Sequence, residues 1–582
     1  MDDGLNLLPR PRRVERGAGA VALDRNGGLP SSAGPDERID AALPGLRAEG
    51  YRLAVTNGRV VIEAKDAAGL FYGRATLAQL VRLHKDAGAI PAVTIEDAPD
   101  FPERGVMLDV SRDKVPTMAT LYRLVDELAG FKINRLQLYF EHTFAYRAHP
   151  DVWAGASPFT AGEVEALDAY CSARFIELVP NQNSFGHMER WLKHRAYADL
   201  GEVAVPVGDN MSLCPVDPRA IAFLAGLYDE LLPHFTSRSF NVGCDETVDL
   251  GKGRSREAVE RLGRGRIYLD FLNEIHGLVA ARSHRMQFWG DIVLEHPELI
   301  PELPRDVLAL LWGYEGDHPF DDQGARFAQS GVDYQVCPGT SAWLSLGGRT
   351  TNALANIESA ARSGLAHGAS GFLITDWGDF GHWQPLPVSY LGFAYGAAVA
   401  WCHETNRDLD VAAALDAHVF LDGAGALGGI ARDLGDVYRE TGVLVKNASV
   451  LALLMLFPER PLGEGRLAGL TIEGLARADA RAAELASSLR LARSDRDDAA
   501  LLGQEFALAA DLMRHACSLG IARLDAPGGA VTAIPASTRS SLAASLTAIV
   551  SDYERVWRHR NREGGLSDSV SRLRQLLRLY SE

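Results

Sequence analysis

The sequence predicts an α/β fold: a (β/α)8 TIM barrel with a small N-terminal α+β domain and a C-terminal helical region. Three observations predict it. Short apolar runs alternate with amphipathic helical patterns through the middle of the chain, a hairpin signal precedes them, and the strand signal fades beyond residue 405. We therefore place the N-terminal domain at residues 1–100, the barrel at 101–405 and the helical region at 406–582.

The first region contains two β-rich runs, residues 51–55 and 59–64. They flank Asn57-Gly58, a dipeptide that tolerates positive φ and therefore favours a hairpin turn. Residues 70–84 follow with apolar side chains at helical spacing. This order of elements predicts a small α+β unit.

Eight apolar runs in the second region have the length of buried strands, and helical patterns separate them. Strands buried on both faces are typical of a parallel sheet, which requires such crossovers. A doubly wound open sheet is the alternative, but no Gly-rich turn follows the first run. The predicted strands are residues 105–110, 135–140, 176–180, 240–244, 286–289, 307–312, 334–337 and 371–375.

The third region is rich in Ala, Leu and Arg and shows helical periodicity. We expect its helices to pack on the barrel, and a homodimer contact through them is compatible with this pattern. The segment 525–535 is predicted to be a loop. The predicted helices cover residues 451–457, 467–491, 499–521 and 540–557.

The composition suits a globular protein and restricts its partners. Hydrophobic residues make up 47% of the chain, and 59 basic against 76 acidic residues give a net charge of −17. An acidic surface repels phosphate backbones, so we expect no nucleic-acid partner. The apolar stretches are too short to span a bilayer, so we expect no membrane segment.

Six scattered cysteines without a CxxC pair indicate reduced, buried thiols, and the first residues lack the apolar core of a secretory signal. Both observations predict a cytoplasmic protein. No HExxH or comparable spacing indicates a metal site, and no GxGxxG or GxxxxGKS/T motif indicates a nucleotide. We therefore expect neither a metal nor a cofactor.

Polar and aromatic residues follow the predicted strands, at the end of a barrel where active sites lie. Carboxylates, an arginine and several tryptophans in one mouth are typical of a carbohydrate site, because indole rings stack on the C–H faces of sugars. In chain order these residues are Asp109, Ser111, Arg112, Tyr139, Glu141, His142, Asn181, Asn183, His187, Asp245, Glu246, Trp289, Asp291, Trp312, Tyr314, Glu315, Trp343, Asp376, Trp377, Asp379 and His382.

The pair Asp245-Glu246 is the sharpest feature of this mouth. Glycoside cleavage needs an acid to protonate the leaving oxygen and a second group to meet the developing cation. Adjacent strand residues point to opposite faces, so two neighbours do not normally flank one bond as acid and nucleophile. At the end of a strand both can reach one substrate, which suits a substrate that supplies its own nucleophile. The alternative is a solvated or helix-capping acidic pair.

Structural roles are also open to the single residues. Arg112 can pair with Asp109 or Asp113, and His187 can be a hydrogen-bonded structural histidine. Bulky side chains fill the interior of such barrels, so the tryptophans can also be core residues.

The motifs RGVMLDVSR (104–112), NVGCDET (241–247), WGD (289–291) and TDWGD (375–379) occur in this order along the chain. Together they resemble glycoside hydrolase family 20, the β-N-acetylhexosaminidases. The stretches LYFEHTFAY, ELVPNQNSFGHMERWLKH, VCPGTSAWLSL and TDWGDFGHWQPLPVSY resemble its intracellular, hexosaminidase-D-like branch. The resemblance covers roughly residues 5–405.

The resemblance implies a retaining exo-β-N-acetylhexosaminidase that removes terminal GlcNAc or GalNAc from a small glycan or glycoconjugate. Glu246 matches the general acid/base, and Asp245 matches the residue that holds the 2-acetamido group, whose oxygen acts as the nucleophile. By the same implication Arg112 and Asp379 bind hydroxyls, Asp379 where the family commonly has Glu, and His187 supports the acid pair. Trp289, Trp312 and Trp377 match walls of the sugar pocket, and Glu141, Tyr314 and Trp343 complete the predicted substrate-binding set.

The chain also departs from the family pattern. Glu141-His142-Thr143 replaces an Asp-rich loop, and CPGTSAW lacks the Tyr-x-Asp motif whose tyrosine bonds the acetamido carbonyl. Tyr314 is our candidate for that role. These departures leave two alternatives open: a glycosidase of relaxed or different β-glycoside specificity, and a non-enzymatic carbohydrate-binding barrel.

Overall fold

The computed structural model describes residues 5–30, 34–56, 58–205 and 211–582. Within these residues a small mixed sheet precedes an eight-stranded parallel barrel, and helices follow the barrel. This architecture confirms the predicted fold class. The limits at residues 100 and 405 stay our proposal for the domain boundaries.

The N-terminal sheet has the spatial order β1-β5-β3-β4-β2 in the described chain. Helix α1 (Ala67–Leu83) packs on it, and the Asp66 carboxylate caps this helix by accepting a hydrogen bond from the backbone N–H of Gly69. The predicted strands are confirmed as β3 and β4, and Asn57 of the predicted turn lies outside the described residues. The sequence analysis missed β1, β2 and β5. The strands are β1 (Arg13–Ala22), β2 (Asp36–Ile39), β3 (Tyr51–Thr56), β4 (Arg59–Ala64) and β5 (Ala89–Asp97).

All eight predicted barrel strands are confirmed in order within the described residues, with ends that differ by at most three residues. The sheet runs β8-β7-β6-β13-β12-β11-β10-β9. It closes because Asn241 N donates to Pro180 O (2.9 Å) and Gln182 N donates to Asn241 O (3.0 Å). The strands are β6 (Glu103–Asp109), β7 (Arg135–Tyr139), β8 (Glu177–Val179), β9 (Ser239–Asn241), β10 (Arg285–Trp289), β11 (Leu308–Trp312), β12 (Asp333–Cys337) and β13 (Gly371–Asp376).

A layer of buried amides crosses the barrel interior. Gln137 Oε1 accepts hydrogen bonds from Asn181 Nδ2 (3.0 Å) and Asn241 Nδ2 (2.9 Å), and Gln137 Nε2 donates to Gln287 Oε1 (2.9 Å). A connected layer of this kind holds its members in fixed positions. It therefore forms a rigid floor below the loops that follow the strands.

Helices surround the barrel, and side chains cap the first turns of α2, α4 and α6. Thr117 caps α2, and Thr160 with Glu163 forms a capping box at α4. These helices are α2 (Met118–Gly130), α3 (Pro150–Trp153), α4 (Ala161–Ser172), α5 (Glu189–Leu192), α6 (Pro218–Leu231), α7 (Arg256–Leu262), α8 (Arg264–Ala281), α9 (Asp291–Glu295), α10 (Phe320–Ser330), α11 (Thr350–His367) and α12 (Tyr390–Trp401).

The C-terminal helices share one buried apolar core with the barrel. The carbonyl of Arg560 accepts hydrogen bonds from Thr117 N (2.9 Å) and Thr120 Oγ1 (2.7 Å), and its guanidinium forms a buried bidentate pair with Glu505 (both 2.6 Å). The four predicted helices are confirmed as α16 to α19 with shifted ends, and α13, α14, α15 and α20 were missed. The helices are α13 (His403–Asn406), α14 (Val411–Leu415), α15 (Leu427–Leu434), α16 (Val450–Leu456), α17 (Ile472–Ser488), α18 (Ala499–Asp525), α19 (Ala536–Arg560) and α20 (Leu566–Ser581).

Among the described residues, no helix combines the length and the apolar content that crossing a membrane requires. The same residues contain no group of His, Cys, Asp and Glu side chains arranged to hold a metal ion. The six cysteines are buried and unbridged.

Candidate active site

Asp245 and Glu246 lie on a tight loop that follows β9. We predicted that the strand would continue to residue 244, which is wrong, because β9 ends at Asn241. Gly243 and Cys244 adopt φ of 69° and 73°, which no strand accommodates, and Glu246 itself has φ of 47°. The left-handed backbone of this loop therefore sets the positions of the two acids.

Contacts with a neighbouring loop lock this conformation. A Cβ at Gly243 would lie 2.2 Å from Asn183 Oδ1, so only glycine fits there. Asn183 Oδ1 also accepts a hydrogen bond from Cys244 N (3.2 Å), and Tyr268 donates to Cys244 O (2.9 Å). These bonds fix the directions in which the two acids leave the loop.

His187 lies between the two carboxylates. Its Nε2 is 3.3 Å from Asp245 Oδ2 and 3.5 Å from Glu246 Oε2. Burial by itself lowers the pKa of His187, but the Asp245 and Glu246 carboxylates outweigh burial and raise it well above its ordinary value. Burial by itself raises the pKa of Asp245, but the charges of His187 and then Arg112 outweigh it and lower that pKa.

The two carboxylates differ in exposure. The Asp245 side chain is 8% exposed, whereas that of Glu246 is 51% exposed. Within the described chain the buried Asp245 Oδ1 has no hydrogen-bond partner. Because an ionised oxygen of this kind is costly to leave unpaired, it is ready to accept a hydrogen bond from a bound ligand.

Arg112 is held between two aromatic rings and two carboxylates. Its Cζ lies 4.7 Å from the ring centre of Tyr139 and 4.9 Å from that of Trp377. Its Nη1 is 3.1 Å from Asp109 Oδ2, and its Nε is 3.2 Å from Glu141 Oε1. The predicted pairing with Asp109 is therefore present, and it orients the guanidinium at the mouth.

Burial raises the pKa of two further acids of the mouth. It raises the pKa of Glu141 to about 7 and that of Asp379 to about 6, although the charge of Arg112 opposes both shifts. Glu141 also accepts a hydrogen bond from Tyr139 Oη (3.0 Å). The Glu141 carboxyl can consequently donate as well as accept a hydrogen bond near neutral pH.

Aromatic side chains form one continuous wall. Trp289 and Trp377 lie with ring centres 6.0 Å apart, and Trp377 Nε1 donates to Tyr314 Oη (2.7 Å). Tyr314 stacks on Trp312 at 5.2 Å and meets Trp343 edge-on at 4.9 Å. Trp289 is fully buried from solvent yet lines the cleft, so it is both a core and a wall residue.

The eleven residues of the predicted catalytic and substrate-binding set all line one of two connected clefts. The inner cleft, of about 370 Å³, contains every residue of this set except Glu141. Of the ten other residues predicted at the mouth, only Glu315 lines either cleft. Glu141 lines the outer cleft, of about 580 Å³, which shares Arg112, His187, Glu246 and Asp379 with the inner one. Both volumes fall in the range of small-molecule sites.

Sequence reasoning missed the roles of two residues that support the wall of the inner cleft. Asp291 was placed at the mouth without a role, but its Oδ2 accepts from Glu246 N (3.2 Å) and its Oδ1 from Trp312 Nε1 (3.3 Å). Burial and the charge of Asp245 raise its pKa to about 7. The position of Asp291 in the WGD motif was the available signal.

Asn447 is the second residue missed. Its Oδ1 accepts a hydrogen bond from Trp343 Nε1 (3.0 Å), and its backbone N donates to Glu315 Oε1 (2.7 Å). Glu315 in turn pairs with Arg349 through two bonds of 2.9 and 2.7 Å. The C-terminal region therefore supplies part of the inner wall.

The arrangement combines an ionised buried carboxylate, an exposed carboxylate, a guanidinium and an aromatic wall in one sugar-sized hollow. It can stack a pyranose ring, bind its hydroxyls, move a proton at its edge and stabilise positive charge.

Comparison with known proteins gives two family matches. The family described as "Glycosyl hydrolase family 20, catalytic domain" matches residues 101–391. The family described as "Glycosyl hydrolase family 20, domain 2" matches residues 32–98.

Curated relatives agree with this family. A beta-hexosaminidase of Akkermansia muciniphila is 29% identical over 295 residues, which cover 44% of this chain and 59% of the relative. Hexosaminidase D of Homo sapiens is 24% identical over 309 residues, which cover 49% of this chain and 62% of the relative. The matches thus span less than two thirds of the length of these relatives.

Solved structures share the fold. A crystal structure of a beta-N-acetylhexosaminidase superposes with a TM-score of 0.58 and 22% identity, over 71% of this chain and 96% of that chain. A Streptomyces plicatus N-acetyl-beta-hexosaminidase superposes with a TM-score of 0.55 and 21% identity, over 71% of this chain and 95% of that chain.

Proposed function

Because the chain belongs to glycosyl hydrolase family 20, we propose that it is a retaining exo-β-N-acetylhexosaminidase that removes terminal β-linked GlcNAc or GalNAc. The names of its relatives support this activity. The observation that carries the proposal is the meeting of Asp245, Glu246 and His187 at one cleft with an aromatic wall.

In the proposed complex the terminal sugar lies in the inner cleft against Trp377 and Trp289, and the glycosidic oxygen faces Glu246. Glu246 lines both clefts, so it stands at the boundary between the sugar and the leaving group. The buried Oδ1 of Asp245 accepts the N–H of the 2-acetamido group. This bond turns the acetamido oxygen towards the anomeric carbon.

In the first step the acetamido oxygen attacks the anomeric carbon while Glu246 gives its proton to the departing oxygen. The C–O bond to the leaving group breaks, and a cyclic oxazolinium ion forms. The negative charge of Asp245 stabilises the positive charge that develops on the amide.

In the second step Glu246, now ionised, takes a proton from a water molecule that attacks the anomeric carbon from the side of the lost leaving group. The ring opens and restores the acetamide. Two inversions give net retention of the anomeric configuration.

The remaining residues position these groups. His187 holds the two acids apart and keeps Asp245 ionised, and Arg112 and Asp379 bind ring hydroxyls. Tyr314 is our candidate for the hydroxyl that meets the acetamido oxygen, because it lies between Trp312 and Trp377 on the wall of the inner cleft.

The test is the variant Glu246→Gln with a nitrophenyl N-acetyl-β-hexosaminide and a disaccharide. Loss of a general acid predicts a fall in kcat/KM of about 10²- to 10⁴-fold, larger for the disaccharide because its leaving alkoxide needs the proton more. Glu257→Gln, at an exposed position outside both clefts, is the matched control. Near-wild-type turnover by Glu246→Gln would contradict the assignment of Glu246 as the general acid. An α-configured first product of the wild-type enzyme, detected by NMR, would contradict the retaining mechanism.

A panel of nitrophenyl sugars separates this activity from the relaxed glycosidase. Equal cleavage of substrates without an acetamido group excludes substrate assistance, and binding without turnover identifies a carbohydrate-binding barrel.

The buried, unbridged cysteines support our further proposal that the protein acts in the cytoplasm.

A further inference from the structure

The C-terminal region places three cations along the two clefts. Lys446 lies in the loop before α16 and lines the inner cleft, whereas Arg466 and Arg572 line the outer one. They come from three separate elements: a loop, the short turn Gly465–Leu467 and helix α20. Within the described chain none of the three forms an ion pair with a carboxylate within 4.0 Å.

Contacts with neighbouring residues hold Arg466 and Arg572 in place. The guanidinium of Arg466 donates to the carbonyl of Lys446, and Arg572 Cζ lies 5.6 Å from the ring centre of Phe380. Phe380 in turn meets Phe457 edge-on at 5.4 Å. Arginines that are partly fixed before binding lose less entropy when they bind an anion.

Two carboxylates on the floor of the outer cleft already have partners. Glu141 pairs with Arg112 (3.2 Å), and Asp113 pairs with Arg190 (2.7 Å). Glu189, Glu246 and Asp379 also line this cleft, so five carboxylates and four arginines surround it. Arg112 and Arg190 are the two arginines that pair with carboxylates, whereas Arg466 and Arg572 form no ion pair within 4.0 Å in the described chain.

Glu246 connects these two arginines to the reaction, because it lines both clefts. With the terminal sugar in the inner cleft, the group on the other side of the glycosidic oxygen extends into the outer cleft. We propose that the outer cleft binds the leaving saccharide and that Arg466 and Arg572 select one that carries a carboxylate or sulfate. Guanidinium groups bind both anions through paired N–H bonds.

This inference rests on the proposed function, so the experiment separates the two. A nitrophenyl N-acetyl-β-glucosaminide first measures hydrolysis itself, and no cleavage by the wild type contradicts the proposed function. Three disaccharides of identical linkage then present GlcNAc on glucuronate, on a sulfated glucose and on glucose. The measured quantity is the ratio of kcat/KM for each charged substrate to that for the neutral one.

For the wild type we expect a ratio of about 10 or more for at least one anion at low salt, and a smaller ratio at high salt, because ions screen exposed charges. The preferred anion distinguishes a uronate from a sulfate ester. A ratio near 1 for both anions, with normal cleavage of the nitrophenyl substrate, overturns the inference.

The double variant R466Q/R572Q should lower the ratio about tenfold, whereas R466K/R572K should retain part of it because charge remains but paired bonding is lost. Arg578→Gln is the matched control: it is exposed on α20 like Arg572 but lines neither cleft, so it should leave the ratio unchanged. Glu189→Gln removes a negative charge from the outer cleft and should raise the ratio. An unchanged ratio in R466Q/R572Q, with a wild-type Tm, overturns the inference.

Discussion

Replacing Asp245 by Asn tests the role of the acetamido group most directly. The substitution keeps the volume of the side chain but removes the negative charge that His187 contacts at 3.3 Å. It also replaces one of the two carboxylate oxygens by an NH2 group, at a site where we propose that the unpaired Oδ1 accepts the substrate N–H. If the amide group of Asn turns its nitrogen to the substrate, two donors face each other.

Two separate estimates give the magnitude. Removing one charge-stabilising hydrogen bond from a transition state costs about 2.7–4 kcal/mol, or about 10²- to 10³-fold in kcat. Coulomb's law for opposite charges about 4 Å apart, at an effective dielectric constant of about 20, gives about 4 kcal/mol. The estimates agree because both describe the Asp245 carboxylate facing the developing oxazolinium charge. Loss of the interaction with the developing charge should lower kcat, and loss of the hydrogen bond to the bound acetamido group should raise KM.

The assay is steady-state hydrolysis of a nitrophenyl N-acetyl-β-hexosaminide, with Tm measured in parallel to show that the variant is folded. Asp249→Asn is the matched control: Asp249 is an equally buried carboxylate four residues along the chain that lines neither cleft. A loss of kcat below fivefold in Asp245→Asn would refute the reasoning, and so would an equal loss in the control.

Three further outcomes follow from contacts of the same molecule. Tyr314→Phe keeps the ring but removes the hydroxyl oxygen that accepts a hydrogen bond from Trp377 Nε1 (2.7 Å), so kcat/KM should fall about 10- to 100-fold. An unchanged kcat/KM would show that Tyr314 does not bind the acetamido group. Burial raises the pKa of Glu141 from 4.5 to about 7, so the folded state retains a proton that the unfolded state has released, and stability falls as pH rises between these values. Glu141→Gln should flatten this part of the Tm–pH curve, and an equal slope speaks against it. Arg560→Ala leaves the Glu505 carboxylate buried and unpaired, so the free energy of unfolding should fall by about 3–5 kcal/mol in urea titrations. A fall of less than about 1 kcal/mol would contradict this prediction.

The barrel strands could be predicted because burial on both faces leaves a direct trace in the sequence. A run such as Leu308–Trp312 is apolar throughout, since the helices cover one face and the barrel interior covers the other. Strand β1 left no such trace. Arg13–Ala22 is mostly exposed, and its register shifts between Arg16 and Ala20, so the alternation that marks a strand is absent.

Helix α20 was missed for a different reason. Val570, Leu573, Leu576 and Tyr580 are buried at helical spacing, so the signal was present in the sequence and was not used.

The chemistry of the site could be predicted because its residues follow strand ends in chain order, but the backbone that presents them could not. Cys244 takes a φ of 73° because Asn183, 61 residues earlier, accepts its N–H and occupies the space beside Gly243. A tertiary contact of this kind overrides local preference, and strained conformations of this sort are frequent at functional sites. Sequence spacing therefore brought the two acids to one cleft but with the wrong local geometry.

The barrel and the C-terminal region contribute different groups to the site, and we expect these two sets of groups to have different roles. The groups proposed to act on the sugar follow barrel strands: Asp245 and Glu246 come after β9, and Arg112 comes after β6. The C-terminal region contributes the cations Lys446, Arg466 and Arg572. Rate depends on groups that meet the reacting atoms, while selectivity among leaving groups depends on contacts beyond the glycosidic oxygen. Substitutions confined to these three cations should therefore change which glycoside is cleaved but not the class of reaction.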